Sequence, residues 1–222
     1  ELGIKVKVSA KVLEEGRVAV PAKMFGEFLG SLNPGKVSLK LEKETLILSA
    51  PGYSGKFQTI SADEFPAIPE ITSESQICKI ESSVLLKAVE RVVFASAKDS
   101  LRPVLTGVLW ELSKQSLRLV ATDGFRLAVE ELPIETSSEL ASLLVPSRAV
   151  MEAVRLSSEG EISIGHLAAT NQIYFAVRDI QVVSQLLSGN FPDYNKILPK
   201  EFSTEITVSK DELLQAVKAT HI

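Results

Sequence analysis

The sequence repeats itself on the scale of a domain. Phe-Pro follows a polar turn in ADEFPAIPEI, at 62–71, and again in GNFPDYNKILP, at 189–199. Upstream of these linkers lie VAVPAKMFGEFLGSL (18–32) and LLVPSRAVMEAVRL (143–156). Downstream lie SSVLLKAVERVVF (82–94) and SKDELLQAVKATHI (209–222). The matched points are 125, 126 and 128 residues apart, in the same order. Solenoid repeats have periods of about 20–50 residues. A period near 126 is a whole domain, long enough to enclose its own core. The boundaries are expected near 71 and 201. Residues 1–71 then form the second half of one copy, 72–200 a complete copy, and 201–222 the first strand and helix of a third. The sequence starts with Glu and reads as a piece cut from a longer chain at both ends.

Hydrophobic periodicity predicts two β-α-β-β-β halves within the complete copy. The first has a strand at 76–81, a helix at 83–97, and strands near 104–112, 116–122 and 125–132. The second has a strand at 141–145, a helix at 147–156, and strands near 160–165, 171–177 and 179–187. Asp123-Gly124 lies between two strands and marks a hairpin, since Gly accepts positive φ without steric cost. In the first helix, Leu85, Leu86, Val89, Val92 and Val93 make an apolar face, while Lys87 and Arg91 share the other. In the second, Val150, Met151 and Val154 point one way and Arg148, Glu152 and Arg155 another. The expected fold class is α+β.

Little here can do covalent chemistry. The 222 residues include one Cys and two His, His166 and His221, so neither an internal disulfide nor a His/Cys metal cluster can be assembled. There is no GxGxxG before a helix, no P-loop and no GxSxG. Asp123 reads as a turn residue, Cys78 as a small core or edge residue, His166 as a turn residue and Tyr194 as a packed linker residue. A single Cys fits a reducing compartment, and no apolar run is long enough for a membrane span. A net charge of −4 argues against a strongly basic nucleic-acid binder but leaves room for a local basic surface.

LRPVLTGVLWEL, LRLVATDGFRLA and GNFPDYNKILP, in that order and spacing, resemble the middle domain of the bacterial DNA polymerase sliding clamp, the β subunit of the replicative polymerase. The likeness covers essentially the whole chain. It implies a DNA-clamp fold in which two subunits join head to tail into a ring of six similar domains. Helices line the hole and antiparallel sheets form the outer wall. Such a ring encircles duplex DNA without regard to sequence and slides on it, tethering the polymerase. It has no catalytic activity and no cofactor or metal, works in the cytoplasm, and is placed by an ATP-driven loader. Modest cationic helix faces on an acidic protein suit a tether that must not grip, because phosphate contacts attract without fixing position.

The resemblance also implies two sets of site residues. Arg148 and Arg102 fall at DNA-facing positions, although Pro103 and Val104 stand where some relatives have aromatic residues. Lys87 and Arg91 join them here because they share a polar helix face. A pocket for short partner peptides, used by polymerases, the loader and repair proteins, matches Leu105, Thr122, Gly124, Phe125, Arg126, Leu127, Pro192, Lys196 and Ile197. Phe125 stands where some relatives have His, and Lys196 where some have Arg, which loses the planar fork. The first linker, with Ala67 and Ile68 in place of Asp193 and Tyr194, lacks this set. Two other classes also suit the residues: an α+β hydrolase or transferase using Asp123 and Arg126, and a peptide-binding repeat module that does not encircle DNA.

Overall fold

A computed structural model describes residues 2–66, 68–69, 71, 75–99, 101–136, 141–157 and 159–220. Ala67 and His221 lie outside these. The complete copy follows the expected order. Its first half is β5 (Gln76–Glu81), α2 (Ser82–Val92), β6 (Gly107–Leu112), β7 (Ser116–Thr122) and β8 (Leu127–Pro133). Its second half is β9 (Ala141–Pro146), α3 (Ser147–Leu156), β10 (Glu161–Leu167), β11 (Gln172–Val177) and β12 (Ile180–Gln185). The halves exchange their first strands. β9 closes the sheet β8-β7-β6-β9, and β5 closes the sheet that runs β12-β11-β10-β5. Both sheets are antiparallel.

α2 and α3 pack side by side against both sheets. One core fills the space between, with Leu85, Val89 and Val92 from α2, Val150 and Ala153 from α3, and inward strand residues such as Leu119, Val145, Ile162 and Phe175. Trp110 of β6 and Phe175 of β11 meet edge to face at 5.7 Å, a favoured aromatic geometry that joins the two sheets. Several expected details change. Leu86 and Met151 are exposed, and Ala88 and Ala153 take the buried helix positions instead. α2 stops at Val92 and tightens into a 3-10 turn, Val93–Ala95, where the Ser96 hydroxyl donates back to the Val93 carbonyl at 2.8 Å. β6 starts at Gly107 because Pro103–Thr106 forms a 3-10 turn. His166 lies in β10, paired with Ile173, rather than in a turn.

The upstream copy supplies β1 (Leu2–Val6), α1 (Ala22–Ser31), β2 (Ser38–Glu42), β3 (Thr45–Ala50) and β4 (Tyr53–Gln58). β2, β3 and β4 form a small sheet on which Phe25 and Phe28 of α1 pack edge-on to Phe57. Pro21 and Pro146 both precede their helices at the N-cap, as the repeat requires. Leu2 precedes Leu127 by the same 125 residues that separate Val20 from Val145, so β1 is the counterpart of β8. It pairs with neither β2 nor β4. It runs antiparallel to β12, with Leu2 opposite Ser184 and Val6 opposite Ile180, and extends the sheet of the next copy to five strands.

Downstream, α4 (Lys210–Thr220) repeats α2. Leu85, Ala88 and Val89 are buried, whereas their counterparts Leu213, Ala216 and Val217 are exposed. The expected strand before α4 does not form. Residues 201–209 are exposed and have no ladder to join, and an isolated strand leaves its backbone groups unpaired.

Candidate functional site

Strand alternation sends Leu109, Glu111, Arg118, Val120 and Leu144 to the outer face of the four-stranded sheet. The linker after β12 lies across them. The Leu187 N–H donates to the Leu144 carbonyl at 2.9 Å. Gly189 has φ +124°, and a Cβ there would fall 2.6 Å from Val104 Cγ1, so only glycine lets the linker come this close. Val104, Leu127, Leu187 and Phe191 then pack around Leu109, Val120, Leu144 and Tyr194 in a second apolar cluster.

Tyr194 anchors that cluster and is 3% exposed. Its hydroxyl donates to Glu111 Oε2 at 2.5 Å and accepts from Arg118 Nη1 at 3.4 Å. Burial first, and then the bond to Glu111, push the phenol pKa above its ordinary 10.0. Arg118 also donates to Glu131 at 2.9 Å, and this contact holds the Glu131 carboxyl below its ordinary range. The linker side chain is thus a packed anchor, as its amphipathic ring predicts.

The loop between β7 and β8 is the other wall. Thr122 pairs with Leu127, leaving a four-residue loop, so β8 begins two residues later than the sequence suggests. Asp123 Oδ1 accepts from the N–H groups of Phe125 (2.9 Å) and Arg126 (3.1 Å), and Oδ2 pairs with Arg126 Nε at 3.0 Å. The Phe125 bond, followed by the Arg126 bonds, holds the Asp123 carboxyl below its ordinary 3.8. The Thr122 hydroxyl donates to the Arg126 carbonyl at 2.7 Å and accepts from the Gly124 N–H at 3.1 Å. Gly124 has φ +94°, the left-handed conformation that favours glycine. Every polar group of Asp123 and Thr122 described here serves the loop, which is the work of turn residues.

The nine expected pocket residues therefore differ in placement. Leu127 belongs to the outer apolar cluster, and Leu105 is buried in the 3-10 turn beside it, its carbonyl accepting from the Ala97 N–H at 2.8 Å. Thr122, Gly124, Phe125 and Arg126 form the loop, with Phe125 wholly exposed. Pro192, Lys196 and Ile197 flank Tyr194 on the linker. Ile197 is exposed and Lys196 is paired with Asp193 at 3.1 Å. A separate open cavity of about 590 Å³ lies along the linker, lined by Glu111, Ser142, His166, Asn171 and Tyr194, among others. Of the nine, only Pro192 reaches it. Sequence reasoning missed Val104, Leu187, Phe191, Glu111 and Arg118. The outward phase of β6 and β7 carried a signal, because Leu109 and Val120 are apolar on the side away from the core.

The four expected DNA-facing cations also divide. Lys87 and Arg148 are exposed on α2 and α3 and form no ion pair among the described residues. Arg91 pairs with Glu130 of β8 at 2.5 Å. Arg102 lies off the helices, with Nη1 3.7 Å from where a Cβ on Gly124 would be. Arg155, two turns after Arg148 on α3, pairs with Glu152 at 3.0 Å. Among the described residues no group of three or more His, Cys, Asp or Glu could hold a metal, and no helix is long and apolar enough to cross a membrane.

Paired helices on one side, antiparallel sheets on the other and a linker-covered outer cluster define a clamp-type α+β domain repeat. The profile of the DNA polymerase III beta subunit central domain matches residues 79–193, and the chain belongs to that family. It is 30% identical over 208 residues to the beta sliding clamp of Staphylococcus aureus, a match that takes in 93% of this chain and 55% of the relative. The chain thus spans about half the length of that protein. The DNA polymerase III beta subunit of Thermotoga maritima superposes with a TM-score of 0.87 at 34% identity, over 99% of this chain and 60% of that one. The Helicobacter pylori beta clamp bound to a DNA ligase peptide superposes with a TM-score of 0.86 at 26% identity, over 98% and 61%.

Proposed function

We propose that this chain is part of a replication processivity factor, a ring-shaped homodimer that encircles duplex DNA, slides on it and tethers partner proteins without catalysing a reaction. The observation that carries this reading is the β1–β12 ladder. A strand whose counterpart ends the first half of one copy completes the sheet of the next. Copies joined by such a seam, with sheets on one side and helices on the other, suit a curved wall around a hole. In this reading residues 1–71 are the second half of clamp domain one, 72–200 all of domain two, and 201–222 the start of domain three.

Lys87 and Arg148 on the paired helices face the DNA, with Arg91 and Arg102 as the further contacts. Sequence-independent phosphate attraction of this kind permits sliding. The outer face takes partner peptides at Leu105, Thr122, Gly124, Phe125, Arg126, Leu127, Pro192, Lys196 and Ile197. An apolar floor with a few polar groups to orient the ligand suits a short linear motif. The ligase peptide on the Helicobacter pylori clamp supports such a site. The partners are the replicative polymerase, an ATP-driven loader, repair polymerases and other motif-bearing proteins, all in the cytoplasm. To test this, the complete subunit is loaded on nicked circular DNA, washed, and the DNA linearised. Departure on linearisation is the expected result. Protein that stays on linear DNA through washing is held by contacts, and the ring reading fails.

A further inference from the structure

Phe94 belongs to none of the three apolar clusters. It sits in the 3-10 turn after α2 and is 55% exposed, while its neighbours Val93 and Ala95 pack into the core. The turn is anchored without it. Its ring instead faces a residue from another element, with Arg126 Cζ 5.6 Å from the ring centroid. That is within cation–π range, where the negative face of the ring attracts the guanidinium. Arg126 is held a second time by Asp123, whose Oδ2 meets Nε while Oδ1 caps the loop backbone. A long, half-exposed side chain is therefore held at Nε by a carboxylate and has its Cζ over an aromatic ring.

We propose that Phe94 is a positioning residue for peptide capture: it sets the plane in which Arg126 donates to a carbonyl or carboxylate oxygen of the bound segment. This rests on the pocket reading above. Phe94 touches no peptide and acts through Arg126, whose planar fork loses little freedom when already oriented. An aliphatic side chain at 94 keeps apolar volume and removes the ring's electrostatic face.

The test uses the complete subunit and a labelled synthetic peptide with a Gln followed by apolar residues, read by fluorescence anisotropy. Phe94→Leu is expected to raise Kd about three- to fivefold, the size of an exposed cation–π contact, and Phe94→Tyr to bind like the unaltered protein. In an Arg126→Ala background, Phe94→Leu is expected to add nothing, because the two act as one unit. Unchanged binding by Phe94→Leu, or the same loss in both backgrounds, overturns the positioning role. Failure of the unaltered subunit to bind the peptide overturns the pocket reading and the proposal with it.

Discussion

Tyr194 and Glu111 meet through a 2.5 Å hydrogen bond that ties the linker to a strand 83 residues earlier. The linker is thereby part of the sheet's outer face. Tyr194→Phe removes one hydrogen-bonded hydroxyl and is expected to cost about 1 kcal/mol. Tyr194→Ala also leaves a cavity in the outer cluster and is expected to cost about 3 kcal/mol. Urea midpoints of the two variants check the order, and equal midpoints refute the anchor.

Stability should be uneven along the chain. The cluster of Leu46, Leu48 and Phe57 is small and flanked by β2, which has no buried residue, whereas Trp110 sits at 0% exposure in the large core. Amides of β3 and β4 should exchange with solvent at lower urea than those around Trp110. Trp110 is the single tryptophan, so its fluorescence follows the large core alone. Hydrogen exchange that tracks the Trp signal throughout the chain goes against this.

Cations on the helix face should contribute unequally. Lys87→Ala and Arg148→Ala together, in the complete subunit, should flatten the salt dependence of binding to linear duplex by about 0.9 in log–log slope per lost phosphate contact. Arg91→Ala should do less, because Glu130 already balances that charge. A slope unaltered by the double variant takes both residues off the DNA face.

The loop at 122–126 should loosen in acid. The Asp123 carboxyl is held below 3.8, so its ionised form favours the folded loop. That contribution is present above 3.8 and disappears as pH falls through the lower folded value. The Phe125 and Arg126 amides should stay protected at pH 5 and lose protection below pH 3.8. Protection that fades between pH 6 and 5 implicates another group.

Much of this was readable from local pattern. The helix at 147–156 has the residue bounds its periodicity gives, with Pro146 at the N-cap. Element ends were harder. The extra residues assigned to α2 are a 3-10 turn that Ser96 closes, and those assigned to β6 are a turn opened by Pro103. Apolar residues at the margins of a helical stripe misled: Leu86 and Met151 lie about one position from the buried arc. Val129 pairs with Val120 on the outer side, and Leu127 lies in the same phase, so the strand's apolar alternation faces away from the main core. The exchange of β5 and β9 was invisible, because it joins residues 80–89 positions apart in the β5–β10 ladder and 29–39 apart in the β6–β9 ladder and leaves no local mark. For the site, the repeat located the linker, but the bonds among Tyr194, Glu111 and Arg118 depend on strand register.

The seam between β1 and β12 also bears on how such a chain avoids clumping. An unpaired sheet edge offers its backbone groups to any passing strand. Here β12 is covered by a strand from the preceding copy, while among the described residues the seam edges of β4 and β8 have no strand beside them. A row of copies built by this rule always leaves one seam edge unpaired at each end, however long it grows. Only a row that returns to its own start pairs both of these, so in the proposed ring closure shields every seam from promiscuous pairing as well as making a hole.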